Sequence, residues 1–314
     1  MSNKLYTCFA LIFLSAITFC SAEERIPFRM EGNLLLIKAT INGQTGEFIL
    51  DTGAPDLILN QAHCEGVRIP WAQTMIVDFH GVASEARHFA INGFSIGGLS
   101  IKKQHALSVD LSSVEKAKNI HLLGIIGYTV LKDLQLLFDF DRQELTIAPS
   151  GKKETSILAD GLPLAVFDLR FSGHVPFLIA HFGKKKFRFG IDTGAEVNIL
   201  GNRAVKCVGA GFDEIKKLRV KGITKNHKAA RSGVLRGLVI DGQFMEPMAF
   251  TAISIHPLNE NLTVGLDGIL GMPFLKKGKV ALDYRKKRMW IWESDGRLVE
   301  ESPGEEVEVL LEGQ

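Results

Sequence analysis

The chain contains an internal repeat. Phe48-Ile49-Leu50-Asp51-Thr52-Gly53-Ala54 recurs as Phe189-Gly190-Ile191-Asp192-Thr193-Gly194-Ala195, an offset of 141. Leu123-Gly124-Ile125-Ile126-Gly127-Tyr128 is answered by Asp267-Gly268-Ile269-Leu270-Gly271-Met272 at an offset of 144. Leu137-Phe138-Asp139-Phe140 is answered by Ala281-Leu282-Asp283-Tyr284 at the same offset. Blocks kept in one order at nearly constant spacing describe one unit written twice, which constrains a fold more tightly than residue propensity does. A length of 314 residues fits two such units at about 150 residues each. With 46% apolar and 23% charged residues, a mainly disordered chain and a low-complexity fibre are excluded.

Each copy reads as mostly β. Leu34 to Ile41 is apolar and β-branched, and Asn42-Gly43 after it signals a tight hairpin into a second strand ending at Leu50. Thr129 to Leu134 has room for about two helical turns before a strand at Leu136–Phe140. Asp141-Arg142-Gln143 and Arg285-Lys286-Lys287 are polar hairpin tips. Helical periodicity of any length is missing. The polar stretch Pro149 to Ser156 marks the boundary, giving lobes at 23–152 and 153–292. It is short for a free linker, so the halves should pack together.

An Asp at the end of an apolar strand is, taken singly, a turn former with an Asx hydrogen bond. Two copies, each followed by Ala and a further apolar strand, exceed what turn chemistry asks for. Asp-Thr-Gly-Ala after an apolar strand, with a Gly-Ile-Ile/Leu-Gly run later in the same copy, resembles the aspartic proteases. The Ala after the glycine, the short half-length and the near-equal copies are more similar to the retropepsin-like branch than to pepsin. The resemblance spans nearly all of residues 30–292.

The resemblance implies an all-β fold of two pseudo-twofold-related lobes with a cleft between them, each lobe supplying one aspartate. It makes Asp51 and Asp192 the catalytic dyad. Thr52 and Thr193 would cross-brace the turns, Gly53 and Gly194 would offer N–H groups to the carboxylates, and Ala54 and Ala195 would complete the support. Paired carboxylates about 3 Å apart cannot both ionise and so share a proton. One then activates water and the other protonates the scissile carbonyl. That implies an endopeptidase acting on polypeptides with no cofactor and no metal. The Gly-x-x-Gly strands would pack beneath the turns. Candidate flap tips lie at His80-Gly81 and Lys221-Gly222, although the pepsin-like flap tyrosine and the retroviral glycine cluster are both missing. Ala54 and Ala195, where pepsins often keep a hydroxyl residue, imply a pH optimum above that of pepsin.

Features outside the repeat add less. Lys4, an apolar run from Leu5 to Phe19 and Cys20-Ser21-Ala22 form an export signal over residues 1–22, which places the protein in the periplasm or outside the cell. The run is short for a membrane span, so no stable membrane insertion is expected after cleavage. Cys64 and Cys207 then remain, too few for a zinc site or a disulfide scaffold. As near-equivalent off-axis positions they read as two free thiols rather than a bridge. No His lies in a metal-ligand spacing with Cys or acidic partners, and Asn261-Leu262-Thr263 is a glycosylation sequon. The net charge of +2 argues against bulk binding of nucleic acid. It hides a second half (158–292) with 22 basic and 11 acidic side chains, and a tail (293–314) with one and eight. That tail is expected either to supply an interlobe strand at Val307–Leu311, opposite Ile26-Pro27-Phe28, or to restrain the basic lobe. The expected state is a monomer. Two readings compete with a protease: a catalytically silent peptide-binding protein of the same fold, and a glycosidase-type carboxylate pair. The second needs about 5 Å or more between carboxyls.

Overall fold

The structure, a computed structural model, describes residues 17–19, 23–63, 67–77, 83–91, 93–101, 104–151, 161–221 and 227–294. Strands dominate and fall into two large sheets, the all-β, two-lobed architecture that the repeat implies. Each lobe opens with a hairpin, Leu34–Ile41 with Gln44–Leu50 and Val175–Phe182 with Lys185–Ile191. Asn42 and Gly43 hold φ of 48° and 87°, the left-handed pair that a two-residue turn needs.

The neighbours of these hairpins follow one order in both lobes. In the first, Gln44–Leu50 is succeeded by Leu122–Ile126, Leu57–Asn60, Gln104–Val109, Ala83–Ile91 and Val67–Val77. In the second, Lys185–Ile191 is succeeded by Gly268–Leu270, Ile199–Gly201, Met248–Ile253, His227–Leu235 and Phe212–Lys221. The senses match too. Leu122–Ile126 runs parallel to Gln44–Leu50 and antiparallel to Leu57–Asn60. Gly268–Leu270 does the same against Lys185–Ile191 and Ile199–Gly201. The sequence repeat is therefore also a repeat of topology.

The lobes are joined by a sheet to which both contribute. Leu134–Asp139 lies antiparallel to Gly278–Asp283, with Leu136 opposite Leu282 and Leu137 opposite Ala281. Their hairpin partners Glu144–Pro149 and Arg288–Glu293 flank them. Asp139 and Asp283 each accept the N–H three residues on, at 3.0 Å from Arg142 and 2.8 Å from Lys286, which closes the two polar tips alike. On one edge Glu24–Glu31 pairs with Glu144–Pro149, the interlobe place expected for Ile26 and Pro27. The matching place on the other edge is taken by Ala165–Asp168, the counterpart of this strand in the second copy. The C-terminal candidate Val307–Leu311 lies outside the described residues. The apolar core is continuous across this sheet, running from Phe48 and Phe94 through Phe138 and Leu282 to Phe189 and Phe250.

Two local readings change. The helix after the Gly-Ile-Ile-Gly run is a single turn, Tyr128–Leu131, because the chain must re-enter a strand at Leu134 to face Pro149. The N-terminal run, expected to lie apart from the fold, contributes the short strand Ile17–Phe19 against Leu99–Ile101. Among the described residues no helix is long and apolar enough to cross a membrane.

Candidate active site

The two Asp-Thr-Gly turns meet where the lobes touch. Each is fixed first by its own lobe. The Asp51 N–H donates to Ile126 O at 3.0 Å and the Asp192 N–H to Leu270 O at 3.1 Å. The N–H groups of Tyr128 and Met272 then donate to Ala54 O and Ala195 O, both at 2.9 Å. A Cβ at Gly127 would stand 2.6 Å from Ala54 O, and one at Gly271 2.6 Å from Val197 O. The Gly-x-x-Gly strands therefore pass directly against the turns, which no side chain would permit.

The threonines lock the turns to one another. The Thr52 hydroxyl donates to Ile191 O at 2.9 Å and accepts the Thr193 N–H at 3.0 Å. Thr193 reciprocates, donating to Leu50 O at 2.7 Å and accepting the Thr52 N–H at 3.1 Å. Both threonines are fully buried, so every one of these groups would otherwise be an orphan.

Above this brace the carboxylates face each other. Asp51 Oδ1 accepts the N–H groups of Gly53 and Ala54 at 2.7 and 3.0 Å. Asp192 Oδ1 accepts the Gly194 N–H at 2.8 Å, and the Ala195 N–H also bonds to this carboxylate. The two side chains are hydrogen-bonded to each other. A Cβ on Gly53 would lie 2.7 Å from Asp192 Oδ2, and one on Gly194 would collide with the Asp51 carboxylate. Glycine at these positions is thus what lets the carboxyl groups meet. Burial pushes Asp192 well above the usual carboxylate range, and the Asp51 charge and hydrogen bond add to it. The Gly194 and Ala195 N–H groups oppose the shift without reversing it.

Several contributors were not visible as sequence motifs. His174 Nε2 bonds to Gly53 O at 3.0 Å; a carbonyl only accepts, so this nitrogen carries the proton. Burial pushes the His174 imidazole down to about 4, against the raising effect of that hydrogen bond. Tyr284 is wholly buried, and its hydroxyl has no partner among the described residues. Burial and the charges of Asp51 and Asp192 push that phenol well above its usual range. Its ring packs on Tyr128 at 5.7 Å and Phe171 at 5.8 Å.

On the opposite side Asn33 stands where His174 does in the other copy. Its Nδ2 donates to Glu196 O at 2.8 Å, and its Oδ1 accepts from Lys276 Nζ at 2.9 Å. Glu196, with a side chain only 3% exposed, pairs across the lobes with Lys118 at 2.8 Å. A turn position shortly after Asp192 is the only signal the sequence offered for Glu196.

The flap candidates are only partly placed. Val67–Val77 with Ala83–Ile91, and Phe212–Lys221 with His227–Leu235, are paired hairpin legs at matching places in the two lobes. Lys221 ends one leg opposite His227, whereas His80, Gly81 and Gly222 lie outside the described residues. Cys207 is a free, half-buried thiol, and Cys64 lies outside the described residues. One histidine grouping departs from expectation. His63, Glu115 and His121 have potential ligand atoms all within 4.8 Å of one another. His63 is far from the other two along the chain, so spacing alone gives no hint of the grouping.

No curated protein matches the chain. The sequence model of a family described as aspartyl protease matches residues 37–130, a stretch holding the first Asp-Thr-Gly turn and the Gly-Ile-Ile-Gly strand that supports it. Over residues 37–130 the chain is thus similar to the retropepsin-like aspartyl protease family, and the second lobe repeats the topology of that stretch.

Proposed function

We propose that the protein is an aspartic endopeptidase with Asp51 and Asp192 as its dyad, and that both lobes are needed for one active site. The observation that carries this reading is the pair of facing, hydrogen-bonded carboxylates on reciprocally braced turns. Burial and the neighbouring charge raise the affinity of the pair for a shared proton, so that one carboxyl stays protonated while its partner is ionised. In the reaction, the ionised partner takes a proton from a water placed between the carboxyls. That water's oxygen attacks the scissile carbonyl carbon, and the protonated partner donates to the carbonyl oxygen. Collapse of the tetrahedral intermediate returns a proton to the leaving amine.

The raised affinity of Asp192 for its proton keeps the pair singly protonated into the mildly acidic range. Ala54 and Ala195 act in the same direction by offering no hydroxyl to the carboxylates. The substrate is an extended polypeptide, and export through the N-terminal signal would place it outside the cytoplasm. A glycosidase-type pair is disfavoured because the carboxyls touch, leaving no room for a sugar between them.

The test is cleavage of a peptide library by the purified protein from pH 3 to 7, with Asp51→Asn and Asp192→Asn alongside. Either substitution should abolish cleavage while leaving the fold intact. Cleavage that survives both, or a pH–rate profile peaking below about 3, would refute the proposal.

A further inference from the structure

We infer that the first lobe carries a divalent-metal site, best suited to zinc, formed by His63, Glu115 and His121. His63 lies in the turn after Leu57–Asn60, Glu115 on the helix Ser112–Lys118, and His121 immediately before Leu122–Ile126. His63 Nε2 is 3.0 Å from Glu115 Oε1, and the His63 and His121 rings lie 4.0 Å apart at 31°. Tetrahedral zinc with ligands at about 2.0–2.1 Å needs ligand atoms separated by about 3.4 Å. The three donors already converge within 4.8 Å, so small rotations of exposed His121 would complete the set. Two imidazoles and one carboxylate are a borderline-soft donor set that favours zinc over calcium or magnesium, and they leave a fourth position for water.

The surroundings are built rather than incidental. Asn60, fully buried, accepts the N–H groups of Ala62 and Leu111 at 3.3 and 3.2 Å and donates to Leu122 O at 3.0 Å. It therefore fixes all three segments that carry the ligands. Glu115 accepts the Leu122 N–H at 2.8 Å.

The second lobe supplies an internal control. Asn259 is the counterpart of Glu115 and ties its helix to Leu266, accepting the N–H at 2.8 Å and donating to the C=O at 2.9 Å. The counterparts of His63 and His121 are Ala204 and Gly265. A neutral amide with no histidine thus satisfies the structural need at this place. The carboxylate and two imidazoles of the first lobe exceed it.

The experiment uses the full chain freed of metal by chelation and titrated with zinc chloride, with cobalt(II) as a spectroscopic probe. One zinc per chain at low-micromolar affinity or better is expected, together with visible bands of four-coordinate cobalt. His121→Ala, at an exposed position, and Glu115→Gln, which keeps an oxygen for the Leu122 N–H, should each weaken binding by at least about tenfold. Absence of zinc binding by the wild-type chain would overturn the site, as would unchanged affinity in both variants. The readout is independent of peptidase activity, so it stands or falls apart from the proposed reaction.

Discussion

Replacing His174 by Gln isolates one half-buried ionisable group beside the Asp51 turn. The glutamine amide can still donate to Gly53 O, but it cannot take up a proton. In the wild type the imidazole titrates near 4 in the folded chain because burial disfavours its cation, against about 6.5 in the unfolded chain. Between those values the unfolded state binds a proton that the folded state refuses. Stability therefore falls as pH drops through this window and is unaffected above it. From pH 7.5 to 4.5 the group crosses about two units of the window, a loss of about 2.7 kcal/mol at 1.36 kcal/mol per unit. Titrating groups distant from residue 174 are common to both proteins and cancel in the comparison. Urea unfolding followed by the fluorescence of buried Trp290 and Trp292 reads the difference at the two pH values. The wild type should lose about 2–3 kcal/mol more than His174→Gln on acidification. Equal losses would show that the imidazole is not held neutral, and would refute its assignment as a neutral donor to Gly53.

Other expectations follow from the brace and the interlobe contacts. Thr52→Ala removes a hydroxyl that both donates to Ile191 O and accepts the Thr193 N–H, so chemical denaturation should show a loss of about 2–5 kcal/mol. Thr52→Ser should restore most of that stability. Gly53→Ala and Gly194→Ala drive a methyl group into the opposite carboxylate and should depress kcat far more than they lower Tm. Glu196→Gln strands Lys118, whose side chain is only 14% exposed, and should destabilise the chain by about 3–5 kcal/mol in the same denaturation assay.

Much of this molecule was legible because it is written twice. A repeated block must make the same contacts in both copies, and the resemblance carried by the paired Asp-Thr-Gly turns and Gly-x-x-Gly strands implied facing turns with close support. The Asn42-Gly43 hairpin was readable from local chemistry alone. Asn33, His174, Glu196 and Tyr284 were not, because each acts across the pseudo-twofold on a residue far away in the sequence. Their importance lies in where the copies differ, which a search for likeness passes over. The His63–Glu115–His121 grouping was hidden for a related reason: strand pairing, not sequence spacing, brings the turn after Asn60 beside the helix at Ser112–Lys118. The interlobe sheet was half legible, since its N-terminal edge was expected while the Ala165–Asp168 edge was not.

Those differences between the copies have a consequence for the proton. In an assembly of two identical chains about a true twofold axis, both carboxyls see the same surroundings, and the shared proton has two degenerate positions. Here Asn33 faces His174 across the axis, Pro55 corresponds to Glu196, and Phe140 to Tyr284. The two carboxyls thus have different surroundings, and the two positions of a shared proton are no longer equivalent in energy. In the proposed reaction the protein itself thus biases which carboxyl acts as acid and which as base. A cleft whose two carboxyls stand in unlike surroundings has a polarity, and a peptide lying in it N-to-C is chemically distinct from one lying C-to-N.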